Sequence, residues 1–261
     1  MKSRTPLPTS LRYRAGKWET MGAGVIVETP VTLTVNGQVW LTFMCTPSDL
    51  EALAVGFLFN EGVIKSKEEI ELVKVCYSGD NVDVWLKSAV IQPKQWRRTS
   101  GCTGGATSVA LDQVHPELKD GLLLTPLTIQ SLMRTLTESQ VLYREVGGVH
   151  TSVLTDGEQV VISAEDVGRH NSLDKIAGRC LFENIQLVRK ILVTTGRISS
   201  EMIQKAARIG AAVVISRTSA SSLSVSLADK WGITLIGYAR QDQFVIYTHS
   251  ERVKQLTMVI V

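Results

Sequence analysis

Cysteine is scarce in this chain: four residues in 261, at Cys45, Cys76, Cys102 and Cys180. Spacing this wide and irregular leaves no Cys-x-x-Cys zinc pair and no disulfide framework, and it fits reduced thiols in a cytoplasm. No His-x-Glu is followed by Pro-Cys-x-x-Cys, so the zinc-deaminase signature is missing too, and no metal is expected. Long apolar runs are also missing. None reaches the twenty or so residues of a membrane span, and no apolar stretch follows Met1-Lys2-Ser3-Arg4-Thr5-Pro6, as a signal peptide requires. There is no Lys/Arg tract, and the formal net charge is only +3, so charge does not argue for a nucleic-acid partner. A mildly basic cleft for phosphates stays compatible. Gly-x-Gly-x-x-Gly and Walker A sequences are absent, which sets aside the NAD and P-loop readings. No internal repeat or low-complexity segment is present.

What the chain does have is an ordinary globular composition, 44% hydrophobic and 20% charged. At this length it can bury roughly 70–75% of its unfolded surface. The pattern divides near residue 126. Residues 1–126 read as a smaller β-rich lobe with one helix and the Cys102 loop. Residues 127–261 read as an α/β lobe with a mixed sheet flanked by helices. The fold class expected is α/β (α+β), as two lobes or as one integrated domain.

Val31 to Val35 alternates, Asn36-Gly37 is a type I′ hairpin turn, and Val39 to Met44 returns as a strand. Ser48 and Glu51 form a capping box for a helix whose apolar face is Leu50, Leu53, Ala54, Phe57 and Leu58. Val73–Cys76 and Val82–Leu86 read as another strand pair. A helix is expected over 128–142, then strands over Thr151–Leu154 and Gln159–Ile162. In the last third, strands at 191–194, 212–215 and 233–237 alternate with helices at 201–208 and from 219, each helix ended by a glycine. That order with short loops marks right-handed parallel units. Phe244 to His249 reads as a final strand.

The densest polar run is Glu165-Asp166-Val167-Gly168-Arg169-His170-Asn171-Ser172-Leu173-Asp174-Lys175. It gathers acids, an arginine, a histidine and an asparagine around one glycine just before a helical pattern. Its bland reading is a capped helix start with solvated charges. Cys102, inside Gly101-Cys102-Thr103-Gly104-Gly105, is the nucleophile candidate. Glycines allow close approach and offer amide donors, and Arg97 and Arg98 lie upstream. The other three cysteines sit in apolar patterns and read as buried fillers. His150 follows Gly147-Gly148-Val149 and His170 follows Gly168-Arg169, so either suits acid, base or ligand duty. His115, before Pro116, has no such context. Thr195-Gly196-Arg197-Ile198-Ser199-Ser200 and Ser219-Ala220-Ser221-Ser222 each open a helix after a parallel-type strand. Arg197, Ser199 and Ser221 are therefore expected near phosphates, at the carboxyl ends of the strands. Plain serine N-capping is the competing explanation.

These residues carry a resemblance. Thr46-Pro47-Ser48-Asp49-Leu50-Glu51-Ala52-Leu53-Ala54-Val55-Gly56-Phe57-Leu58, Gly147-Gly148-Val149-His150, the 165–175 run, Gly196-Arg197 with Glu201-Met202, and Tyr247-Thr248-His249 together resemble the FdhD/NarQ family, the sulfur carriers needed for formate dehydrogenase. The resemblance implies a fold similar to cytidine deaminases without their zinc, usually as a homodimer. It implies a sulfur carrier that takes persulfide sulfur from a cysteine desulfurase and passes it to the molybdenum bis(molybdopterin guanine dinucleotide) cofactor. The persulfide cysteine maps onto Cys102. The cofactor-binding strand maps onto Phe244, Val245, Ile246, Tyr247, Thr248 and His249, with Arg169 and His170 facing phosphate or pterin and GDP as a mimic of the nucleotide. Many members carry Cys-x-x-Cys at the loop, whereas Gly105 stands three positions after Cys102 here. A persulfide needs only one thiol. Two rivals remain: a thiol hydrolase using Cys102 with His150 or His170 and Asp166, and a non-catalytic chaperone that only binds the cofactor or a guanine nucleotide.

Overall fold

The computed structural model describes residues 4–6, 10–22, 24–93, 97–98, 106–107, 122–185 and 189–254. Its architecture is mixed α/β with several sheets. The N-terminal four-stranded sheet is built from β1 (Thr29–Val35), β2 (Gln38–Cys45), β3 (Ile70–Val75) and β4 (Asn81–Leu86), in the order β2-β1-β4-β3. The β1–β2 hairpin turns at Asn36 and Gly37, both at positive φ (48° and 78°), as a type I′ turn demands. One helix, α1 (Leu50–Asn60), follows β2.

The anticipated capping box at Ser48 and Glu51 does not form. Asp49 is the N-cap in a left-handed conformation and makes no side-chain cap. Ser48 instead accepts a hydrogen bond from the Lys175 ammonium, 3.2 Å away. Nor is α1 apolar on one face alone. Leu50, Ala52 to Leu58 and Asn60 are all buried, as in a helix packed on every side.

The six-stranded sheet is built from β5 (His150–Thr155), β6 (Val160–Asp166), β7 (Ile191–Thr194), β8 (Val213–Ser216), β9 (Thr234–Gly237) and β10 (Val245–Ile246), in the order β6-β5-β7-β8-β9-β10. β7, β8 and β9 run parallel, and the remaining pairings are antiparallel. The parallel crossovers are α5 (Ser200–Ile209) and α6 (Ser222–Lys230), as the strand–helix alternation requires. The helix anticipated over 128–142 is two helices. α2 (Pro126–Glu138) starts two residues earlier because Thr125 caps it and Pro126 needs no N–H partner there; α3 (Val141–Val146) follows a break at Gln140. The final strand is shorter than 244–249. After Tyr247, whose N–H donates to Leu235 O, the Thr248 hydroxyl donates to Ile233 O (2.7 Å) and accepts from Leu235 N (3.0 Å) in place of a backbone ladder, and His249 turns left-handed.

Leu154, Leu192, Val214 and Leu235 point to one face of this sheet, where α5, α6 and α4 (Arg169–Phe182) cover them. Val153, Val193, Ile215 and Ile236 point to the other, under Ile129, Leu132, Met133 and Leu136 of α2. The four-stranded sheet packs its own core on α1. α1 in turn crosses α4 at backbone contact. A Cβ on Gly56 would lie 1.8 Å from Asp174 O, and one on Gly178 would lie 2.0 Å from Ala52 O. This glycine-to-backbone crossing locks the two sheets together.

Candidate functional site

β7, β8 and β9 end at one edge, and their loops are tied in sequence. Arg217 N donates to Thr194 O, Ile198 N to Ser219 O, Ser221 N to Ile198 O, and Tyr238 N to Thr218 O. The two serine-rich helix starts are therefore side by side, as anticipated. Their hydroxyls are engaged, however. Ser199 caps α5 by accepting from Met202 N, and Ser221 caps α6 by accepting from Ser224 N. Arg197 between them is exposed.

The 165–175 run enters this edge from the end of β6, with β5 between it and β7, and its charges are not solvated. Asp166 and Lys175 are fully buried and Asp174, Arg169, His170 and Asn171 nearly so. Each acid has a partner. Glu165 accepts from Leu142 N (2.6 Å), Tyr143 N (3.1 Å) and the Thr151 hydroxyl (3.0 Å), so it caps α3 from outside that helix. Asp166 accepts from Lys175 (2.7 Å), Gly168 N, Asn171 and Thr46 N. Lys175 donates further to Thr46 O and Ser48, and Asn171 donates to Met44 O. The run thus staples the β6–α4 turn onto the residues linking β2 to α1. Asp174 forms the second pair, with Lys205 (2.5 Å), and accepts from Asn60 (2.7 Å). Burial pushes the Asp174 carboxyl upward, against the pull of Lys205 and Asn60.

With the acids engaged, the groups left at the edge are basic. The Arg169 stem lies across Gly196, where a Cβ would come within 2.9 Å of Arg169 Cβ. His170 Nε2 meets the Ser199 hydroxyl at 3.4 Å, and His150 Nδ1 meets the Thr195 hydroxyl at 3.4 Å. Burial holds the His170 imidazole well below the usual histidine range, and Lys205, Arg169, His150 and Arg197 push it the same way. Burial and Arg169 lower His150 as well. α4 also starts here, at Gly168, with no side-chain cap. An electropositive sheet edge carrying neutral imidazoles is suited to anions. It does not suit the Cys-His-Asp hydrolase arrangement, because Asp166 is held by Lys175 and bonds neither histidine.

Cys102 and His115 lie outside the described residues. Described strands at Arg97–Arg98 and Ala106–Thr107 pair antiparallel and bring the two ends of the 99–105 stretch together. Cys45 is buried and Cys180 half-buried, as anticipated. Burial pushes their thiols up to about 12 and about 11. Cys76 is not a core filler. It sits in the turn before β4, donating to Asp80 (3.0 Å) and accepting from Asn81 N (3.2 Å). Among the described residues, no group of three or more His, Cys, Asp or Glu is placed to hold a metal, and no helix is long and apolar enough to cross a membrane.

Sequence reasoning passed over Lys205 and the role of Thr46. Lys205 carried a readable signal: it lies on the same helical face as Met202 and Ile209. A lysine on an apolar face needs a buried acid, and Asp174 is that acid. Thr46 carried none, because its backbone N–H and its hydroxyl bond a segment 120 residues away.

Known proteins resemble this chain over nearly its whole length. The sulfur carrier protein FdhD of Bacillus pumilus (strain SAFR-032) is 37% identical over 250 residues, covering 94% of this chain and 95% of that protein. The sulfur carrier protein FdhD of Bacillus subtilis (strain 168) is 33% identical over the same length and coverage. A crystal structure described as a formate dehydrogenase accessory protein from Desulfotalea psychrophila superposes with a TM-score of 0.79 at 31% identity, covering 97% of this chain and all of that one. The FdhD/NarQ family matches residues 26–254, and the chain belongs to that family.

Proposed function

We propose that this chain is a sulfur carrier serving formate dehydrogenase. It accepts persulfide sulfur from a cysteine desulfurase and delivers it to the molybdenum bis(molybdopterin guanine dinucleotide) cofactor. The observation that carries the reading is full-length kinship with relatives named sulfur carriers, combined with a chain whose other thiols are poor acceptors. Cys45 and Cys180 are held protonated by burial, and the Cys76 thiol is tied to Asp80. Cys102, flanked by glycines and preceded by two arginines, is left as the acceptor.

Loading is redox-neutral. The Cys102 thiolate attacks the outer sulfur of the desulfurase persulfide, the S–S bond there breaks, and the desulfurase thiolate leaves. Thiolates are the attacking form, so positive charge near the loop favours the step. Arg169 and Arg197 supply a positive field for the anionic groups of the acceptor, the neutral His170 offers a hydrogen bond beside them, and Phe244 and Val245 border the same sheet edge. The acceptor is cargo, and the family resemblance places the chain in the cytoplasm as a homodimer.

Intact-mass analysis after incubation with a cysteine desulfurase and cysteine tests the reading. The parent gains one sulfur and Cys102→Ser gains none. A Cys102→Ser chain that loads as the parent does overturns the assignment.

A further inference from the structure

An N-terminal hairpin takes part in none of the core clusters among the described residues. Ser10–Arg14 and Lys17–Met21 pair antiparallel and turn at Ala15 and Gly16, both at positive φ (49° and 82°). Side chains alternate between faces, so Leu11, Tyr13, Trp18 and Thr20 share one face, and Arg12, Arg14, Lys17 and Glu19 share the other. The Tyr13 and Trp18 rings lie against each other, 5.1 Å between centroids. Even so, Leu11, Tyr13 and Trp18 are 67%, 62% and 70% exposed. A two-stranded hairpin is marginal alone in water, and an apolar face of this kind calls for a cover.

The same chain carries a surface of matching character. β3 is an outer strand of the four-stranded sheet, and a groove of about 490 Å³ runs along it. Ile70, Leu72, Val73 and Phe182 give it an apolar lining. Glu51, Glu68 and Glu71 rim it with three carboxylates against one ammonium, that of Lys67. The hairpin has the reverse balance, with Arg12, Arg14 and Lys17 against Glu19. Within one chain the two surfaces stay apart. The hairpin leads into Gly24–Ile26, where Ile26 packs on Gly148, close to His150 and the start of α4. The groove lies at Phe182, the other end of α4, about 20 Å away at 1.5 Å per residue.

We propose that this hairpin is an arm that seats in the β3 groove of a second copy of the chain. Leu11, Tyr13 and Trp18 cover Ile70, Leu72 and Phe182, while Arg14 and Lys17 face Glu51 and Glu71. The inference rests on the homodimer reading and adds the two surfaces that make the pair. In a closed twofold pair each copy gives one arm and receives one, so the contact forms twice and no arm or groove is left over. Tyrosine, tryptophan and arginine are the side chains that dominate contacts of this kind. The arm also covers an outer strand, whose open edge would otherwise template unspecific association.

Sedimentation velocity of the full chain over a concentration series reads the dimer dissociation constant, with circular dichroism verifying the fold. Tyr13→Ala with Trp18→Ala should weaken the dimer about a hundredfold. Arg14→Glu with Lys17→Glu should weaken it about tenfold, as should Glu51→Lys with Glu71→Lys, and a chain carrying all four reversals should recover most of the loss. That rescue separates contact between the two surfaces from damage to either one. An aromatic variant that dimerises as tightly as the parent, or four reversals no tighter than either pair, overturns the seat and leaves the homodimer reading standing. A parent that stays monomeric at high micromolar concentration overturns both. Arm variants that dimerise normally but lose binding to the cysteine desulfurase would assign the arm to that protein, and the seat would be wrong. Cys102 loading is read separately by mass, so none of these outcomes decides the sulfur-carrier reading.

Discussion

The Lys175 ammonium lies 2.7 Å from the Asp166 carboxylate, and neither side chain is exposed to solvent. The pair is one residue pair within a hydrogen-bonded unit that also holds Thr46, Ser48 and Asn171. It joins β6 and α4 to the β2–α1 connection, so its role is to fix the relative placement of two sheets. Truncating one partner leaves the other charged and buried. Lys175→Met or Asp166→Asn should each cost about 3–5 kcal/mol in urea unfolding. The double variant should cost less than the two single losses summed, since both remove one interaction. A single variant within about 1 kcal/mol of the parent would show that the pair is not the staple.

The α1–α4 crossing gives a second prediction. Alanine is the better helix former by about 1 kcal/mol, so an unconstrained Gly56→Ala or Gly178→Ala would stabilise. At these positions the added methyl meets backbone, Asp174 O and Ala52 O, which cannot rotate away. Forced repacking costs about 1–3 kcal/mol or more, so each variant should be less stable than the parent. The double change should fall short of additivity, because the first already opens the crossing. Higher thermal midpoints in either variant would show that the helices are not in contact there.

How much of this was legible in the sequence follows from the range of the forces involved. Strands β1, β2, β7, β8 and β9 and helices α5 and α6 were readable, because periodicity and turn chemistry act within a few residues. The parallel order followed from strand–helix alternation. Ser48 misled, because a local capping box lost to a distant Lys175. Glu165 misled similarly: it caps α3, more than twenty residues earlier. The 165–175 run was recognised as special, but its burial was not, since nothing local shows what packs over it. Tyr13, Trp18 and the groove along β3 were not singled out, because only the fold shows which apolar side chains are left uncovered.

His170 sets a pH dependence. Burial and the surrounding cations hold its folded value well below 6.5, so the imidazole is neutral in the native state. The unfolded chain binds the proton more readily below about pH 6.5. Stability therefore rises with pH through that window and is lost as pH falls below it. His150 is lowered too and adds in the same direction. Urea midpoints measured at intervals from neutral to about pH 5 should fall, and His170→Asn should flatten that slope. His249 has the opposite sign. Burial lowers it, but hydrogen bonds to the Asp229 carbonyl and the Glu251 carboxylate outweigh that, and its value is raised. Its contribution is present below about 6.5 and lost as pH rises through the raised value, so His249→Ala should lower stability most below about pH 6.5 and change the slope only in the window above it. A parental slope that survives His170→Asn and a further His150→Asn would place the acid sensitivity elsewhere.

Thiol reactivity separates the carrier from the buried cysteines. At pH 8 a thiol at about 11 is thiolate in roughly one molecule per thousand, and one at about 12 in roughly ten times fewer. Iodoacetamide attacks the thiolate, so Cys180 and Cys45 should alkylate at least a hundredfold more slowly than an unperturbed cysteine in the native chain. Urea should abolish the difference, since burial is its cause. Cys76 should react faster than either, being partly exposed in its turn, and its S–H bond to Asp80 should keep it slower than Cys102. Peptide mapping after incubation with a desulfurase should then find the extra sulfur in the Cys102 peptide. Fast native alkylation of Cys45 would show that the 44–48 segment opens and that the Asp166–Lys175 staple does not hold it. Extra sulfur recovered on Cys76 would move the carrier to that turn, and the glycine-flanked loop would lose its assigned role.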